Sequence, residues 1–201
     1  MPTLLAFTLI LAADTQPKGD ERATLRIANQ VQKEILSLNN YGVFDAINFG
    51  IYGDKVILKG YASRPVLKDS AERVVKGIEG VGSVDNRIQV LPLSPNDDRL
   101  RAAIYVSIYG HPTLQRYTSN RAGFYVSRMR AVTGIVNDPP IGWHAIHIVV
   151  NQGNVTLTGV VDNPGDKAIA GIVANQIPGV FSVDNDLLVA NNNGRKSTGG
   201  K

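Results

Sequence analysis

Val56-Ile57-Leu58-Lys59-Gly60-Tyr61-Ala62 is answered 99 positions later by Val155-Thr156-Leu157-Thr158-Gly159-Val160-Val161, both on the frame Val-x-Leu-x-Gly. At the same offset, Ala46-Ile47 falls on Ala145-Ile146, Pro65 on Pro164, Lys68 on Lys167, Ala71 on Ala170 and Ile78 on Ile177. Gly80-Val81 meets Gly179-Val180, and Ser83-Val84-Asp85-Asn86 returns whole as Ser182-Val183-Asp184-Asn185. Self-similarity at one fixed spacing means that one folding unit is used twice. A catalytic site is usually a single asymmetric constellation, and none stands out beside the repeat. The pattern points to a duplicated binding module.

Working outward from the first copy, Ile47, Phe49 and Ile51 alternate as one face of a strand, and Gly53-Asp54 turns the chain back into the Val56 stretch. Ser63-Arg64-Pro65 opens a helix, with Ser63 as candidate cap and the proline in the first turn, where no hydrogen bond is lost. Leu67, Ala71, Val74, Val75 and Ile78 give that helix its apolar face, Gly80 and Gly82 end it, and Val84, Ile88 and Val90 mark a third strand. Upstream, Leu25, Ala28, Val31, Ile35 and Leu38 step at helical spacing. The unit reads αββαβ. The fold class is α+β: two tandem units, each a small three-stranded mixed sheet with helices packed on one face.

The expected domain limits are 20–91 and 97–190, joined by the stiff, proline-bearing linker 92–96. In the second copy, Leu100, Ile104 and Ile108 form the buried stripe of the leading helix, and Asp97-Asp98 lie at the positive end of its dipole. The repeat is then interrupted by a basic, aromatic insertion at about 114–140, before 143–150 and 155–161 rebuild the hairpin. Residues 191–201 are Asn- and Gly-rich and are expected to be a disordered tail.

Of 201 residues, 43% are hydrophobic and 19% charged, an ordinary globular composition. There is no cysteine, which excludes disulfides, thiolate metal sites and thiol nucleophiles. The net charge of +4 is local. Arg195, Lys196 and Lys201 sit in the tail, and Arg116, Arg121, Arg128 and Arg130 outnumber Asp138 in the insertion, so the remaining chain is slightly acidic. At the N-terminus the apolar run 4–11 is too short to span a bilayer and suits the core of a secretory signal at residues 1–13. Against that stand the lack of a basic residue before the run and Leu11 near the cleavage point; the competing reading is a short buried first element.

The tandem Val-x-Leu-x-Gly strand, the proline-started helix with its lysine, and the ending Gly-Val-x-Ser-Val-x-Asn together resemble the BON domain. The resemblance covers most of 20–91 and 97–189 outside the insertion. It implies an exported, periplasmic, envelope-associated protein linked to osmotic or envelope stress, whose modules associate with phospholipid. The family's hallmark glycine falls on Gly60 and Gly159.

Each sharper reading has a plainer competitor. Gly60 and Gly159 read as places where a strand bends or a backbone comes close, rather than as ligand contacts. Asn86 and Asn185 read as amides that satisfy nearby backbone, and Lys68 and Lys167 as solvated lysines near helix starts. His144 and His147, three apart in a strand, diverge and make no metal pair. Gly77-Ile78-Glu79-Gly80 has the spacing of the phosphate-clamping loop of KH domains but precedes a strand, and Gln176 replaces its first glycine in the second copy. No nucleic acid, metal or cofactor is therefore expected, and no enzyme activity.

The expected contact residues are Arg116, Tyr117, Arg121, Phe124, Tyr125, Arg128 and Arg130. Rings can sit at a headgroup boundary while guanidinium groups meet phosphate. The expected function is peripheral binding of anionic phospholipid without a transmembrane helix. The alternative is a protein-interaction adaptor that uses sheet edges and the insertion.

Overall fold

The computed structural model describes residues 18–118 and 144–190, and the chain divides into two compact units between Ser94 and Pro95. The first unit runs α1 (Lys18–Leu36), β1 (Ala46–Tyr52), β2 (Lys55–Ala62), α2 (Pro65–Lys76) and β3 (Ser83–Val90). β1 and β2 form the antiparallel hairpin, and β3 returns parallel to β2 after the α2 crossover. The second unit runs α3 (Pro95–Gly110), a single 3-10 turn (Gln115–Tyr117), β4 (Ile146–Asn151), β5 (Asn154–Val161), α4 (Pro164–Asn175), β6 (Ser182–Asn185) and β7 (Leu188–Val189). The architecture is α+β in both copies, as the sequence pattern predicts. One detail differs: the final strand of the second unit is broken into β6 and β7, both parallel to β5.

Alternation along the strands decides which face is covered. In the first unit Ile47, Phe49, Val56, Leu58, Ala62 and Ile88 point to the helices and pack with Val31, Ile35, Leu67, Ala71 and Val75. The second unit buries Ile146, Ile148, Val155, Leu157, Val161 and Leu187 with Leu100, Ile104, Ile108, Ala170 and Ala174. Each fully buried aliphatic side chain contributes about 1.5–3 kcal/mol by leaving water.

The start of the first crossover helix differs from expectation. Arg64, directly before the Pro65 that begins the helix, is the N-cap of α2 in place of Ser63 and makes no side-chain bond, while the Ser63 amide is donated at 2.6 Å to the Asp45 carboxylate. Asn163 caps α4 with its side chain, accepting from the Asp166 amide at 3.0 Å.

α3 does more than present one apolar stripe. Asp97, Arg101, Tyr105 and Tyr109 form a second buried row at four-residue spacing, and this row serves β4, the edge strand of its sheet. The Asp97 carboxylate accepts the Gln152 and Gly153 amides, both at 2.9 Å, and so clasps the hairpin turn rather than facing the helix dipole alone. Arg101 donates to the Val150 carbonyl at 2.7 Å and to Asp98 at 2.5 Å. The Tyr109 hydroxyl donates to the Ile146 carbonyl at 2.6 Å and accepts the Ile146 amide at 3.1 Å. Burial pushes that hydroxyl well above the usual tyrosine range. Side chains from a helix thus occupy strand groups that would otherwise invite another strand.

Candidate functional site

Both copies of the Val-x-Leu-x-Gly strand bend at the glycine. Gly60 has φ +110° and Gly159 φ +121°, a region that side-chain-bearing residues avoid. A Cβ built on Gly60 would overlap the Ala46 carbonyl oxygen, and one on Gly159 the Ala145 oxygen. The asparagines are equally symmetric. Asn86 donates to the Lys68 carbonyl at 3.0 Å and accepts the Ile88 amide; Asn185 donates to the Lys167 carbonyl at 2.7 Å and accepts the Leu187 amide. Each ties the crossover helix to the last strand through backbone groups, and Asn86 also donates to the Glu72 carboxylate at 3.0 Å.

The contact residues expected in the insertion divide. Arg121, Phe124, Tyr125, Arg128 and Arg130 lie outside the described residues. Arg116 and Tyr117 lie in the 3-10 turn and face the start of α4. Tyr117 is buried, its hydroxyl donating to Asp166 and accepting the Asp162 amide at 2.8 Å. Arg116 pairs with Asp166 and with Asp162 at 3.3 Å, its guanidinium 5.0 Å from the Tyr117 ring centre. Asn163 adds a 2.8 Å bond to the same Asp166 carboxylate. Burial and the bond to Asp166 push the Tyr117 hydroxyl up to about 12. These two residues therefore anchor the start of the insertion to the second unit.

His144 packs edge-on against Tyr105 and Tyr109, with ring centres 5.8 and 5.2 Å away. His147 is buried in β4 opposite Thr158. Among the described residues no group of three His, Asp or Glu side chains could hold a metal ion. No described helix is long and apolar enough to cross a membrane.

What the first unit exposes is the sheet face turned away from its helices. β1, β2 and β3 bring Asn48, Lys59 and Arg87 into one row across that face, and Tyr52, Lys55 and Ser83 into another. Asp85 receives Arg87 at 2.7 Å and Lys55 at 3.1 Å. Hydrogen bonds from Arg87, then Lys55, hold its carboxyl at about 2, below the ordinary aspartate value of 3.8. A carboxyl with a lowered folded-state value adds stability above the unfolded value and loses it as pH falls through the folded one. The contribution is expected to disappear between pH 3.8 and about 2. Carbon-detected NMR should show Asp85 titrating near 2, and in Lys55→Gln/Arg87→Gln near the ordinary value of about 4. An unmoved titration in that variant would contradict the assignment.

The family model described as the BON domain matches this chain twice, over residues 20–92 and 128–191. The chain belongs to the BON-domain family. Osmotically-inducible protein Y of Escherichia coli (strain K12) is 26% identical over 132 residues, covering 66% of this chain and 56% of its own length. The chain thus spans little more than half of that relative. Two solved structures of CdsD, a structural protein of the Type III secretion system of Chlamydia trachomatis, cover 81% and 82% of this chain and 96% and 92% of theirs. Their identities are 14% and 12% and their TM-scores 0.25 and 0.27.

The two BON units keep the same backbone obligations but fill them with different residues. Asp45 accepts the Gly42 and Ser63 amides in the first; its counterpart is His144, and the amide equivalent to Ser63, that of Asp162, goes to the Tyr117 hydroxyl instead. Burial pushes the Asp45 carboxyl up, against the two amides that bond it. The Ile47 amide donates to the Tyr41 hydroxyl, whereas the Ile146 amide donates to that of Tyr109. Reading the sequence missed these tyrosines because they have no partner at the 99-residue offset. The loss of Asp45 at His144 was the one available sign that a replacement acceptor must come from elsewhere.

Proposed function

We propose that this BON-domain protein is a non-catalytic, periplasmic, envelope-associated module that binds anionic phospholipid surfaces in envelope maintenance or osmotic stress. Two family matches and the name of the osmotically inducible relative support the setting. The observation that carries the lipid reading is the run of Arg121, Phe124, Tyr125, Arg128 and Arg130 that follows the Arg116–Tyr117 anchor. Arginines alone would give roughly 1 kcal/mol each near an anionic surface, so useful affinity needs the rings as well.

Arg121→Glu/Arg128→Glu is expected to abolish co-sedimentation with anionic vesicles at low salt while leaving the circular dichroism spectrum unchanged. Phe124→Ser/Tyr125→Ser should weaken binding at every salt concentration, because ring insertion is not screened. If both double variants bind like the parent, the insertion is not the contact. Co-purification with one envelope protein, without vesicle binding, would instead favour the adaptor.

A further inference from the structure

We infer that the open sheet face of the first unit, built around Lys59 and Arg87, is a second docking surface for an anionic phospholipid bilayer. The inference rests on the lipid-binding reading above and adds a contact in the unit that lacks the insertion. Its basis is a comparison of the two copies, face by face. On the covered face the duplication is conservative: Ile47 matches Ile146, Val56 matches Val155, Leu58 matches Leu157, Gly60 matches Gly159 and Asn86 matches Asn185. On the open face it is not. Lys55, Lys59 and Arg87 stand where the second unit has Asn154, Thr158 and Asp186, and Tyr52 and Tyr61 where it has Asn151 and Val160. Since Thr158 and Asn154 occupy the same ladder positions in the same kind of sheet, the fold does not require cations there.

The exposure of the two faces diverges as well. In β4 the open-face residues His147 and Val149 are buried, whereas in β1 Asn48 and Tyr52 are exposed. Lys59 is exposed and makes no ion pair among the described residues, and it neighbours Arg87 directly across the parallel ladder. Two like charges side by side are unfavourable for the sheet itself, which a bound anion reverses. Asp85 offsets only one of the three cations. The cations lie on adjacent strands about 4.8 Å apart, on the outward side of the sheet rather than in a cleft of the core. An exposed array of cations with a half-exposed tyrosine suits a surface of lipid phosphates: the ammonium and guanidinium groups meet phosphate while the Tyr52 ring lies at the headgroup boundary.

The test compares two double variants of the full chain with the same loss of charge. Lys59→Thr/Arg87→Gln alters the open face, using at Lys59 the residue that the second unit carries there. Arg73→Gln/Lys76→Gln alters exposed residues of α2, on the other side of the sheet. Vesicles of phosphatidylcholine, with and without phosphatidylglycerol, are titrated at low salt, with thermal melts to verify folding. At about 1 kcal/mol per basic residue, Lys59→Thr/Arg87→Gln should bind phosphatidylglycerol vesicles roughly thirtyfold more weakly than the parent, and Arg73→Gln/Lys76→Gln like the parent. Equal losses in both would make the effect one of net charge and overturn the face while sparing the lipid reading. Parental binding by Lys59→Thr/Arg87→Gln would do the same. A parent that ignores phosphatidylglycerol vesicles would overturn both readings. If such a parent held a single-stranded oligonucleotide in a Lys59/Arg87-dependent way, the face would belong to nucleic acid instead.

Discussion

Gly159→Val is expected to destabilise the second unit by about 4 kcal/mol, and the first unit by much less. Two separate costs add. A valine at φ +121° occupies a backbone region that costs roughly 1–3 kcal/mol. Its Cβ would also overlap the Ala145 carbonyl oxygen, with the carbonyl carbon 3.0 Å away, and relieving that overlap shifts backbone at roughly 1–3 kcal/mol more. Because the obstructing atom is backbone and not a flexible side chain, no rotamer change relieves it. Hydrogen exchange followed by mass spectrometry separates the units: protection should fall across Ile146–Asn151 and Asn154–Val161 and persist across Ala46–Tyr52 and Lys55–Ala62. Unchanged protection in the second unit, coupled with lost ligand binding, would assign Gly159 to a contact rather than to the bend.

The second large effect belongs to Asp97. Asp97→Ala is expected to cost about 3 kcal/mol, since hydrogen bonds to a charged acceptor contribute roughly 1.5–3 kcal/mol each and the turn is partly open to water. The carboxylate holds both amides of a turn in which Gln152 and Gly153 have φ of 53° and 80°. Gln152 is the one described residue other than glycine with positive φ. Asp97→Asn keeps one acceptor oxygen and should fall between alanine and the parent in urea denaturation. If alanine and asparagine variants both melt with the parent, the clasp carries no weight and the hairpin is held by its ladder alone.

The pattern behind these predictions is a duplication whose inner faces have been kept and whose margins have been rewritten. Ile47, Val56 and Leu58 face the helices of the first unit as Ile146, Val155 and Leu157 face those of the second, so substitution there opens a cavity or forces overpacking. Lys55, Lys59 and Arg87 face solvent, where most changes cost little. Function can therefore diverge on the open faces without disturbing either core.

How much of this was legible in the sequence follows from the range of the interactions. Strands, hairpins and crossover helices were readable because alternation of Ile47, Phe49 and Ile51, a turn at Gly53, and a proline at the helix start are local devices. The 99-residue echo then doubled each of those signals. The hallmark glycines were readable as bends for the same reason. The row Asp97, Arg101, Tyr105 and Tyr109 was not, because its partners lie between 37 and 56 residues away and are mostly backbone groups that carry no sequence signature. Nor was the withdrawal of Arg116 and Tyr117 into bonds with Asp162 and Asp166, 45 to 50 residues on. The sequence by itself determined the repeat, the αββαβ order and the face each strand turns inward, because hydrophobic spacing sets these over a few residues. Only the tertiary structure decided which polar side chains are spent on holding backbone and which remain exposed to meet a partner.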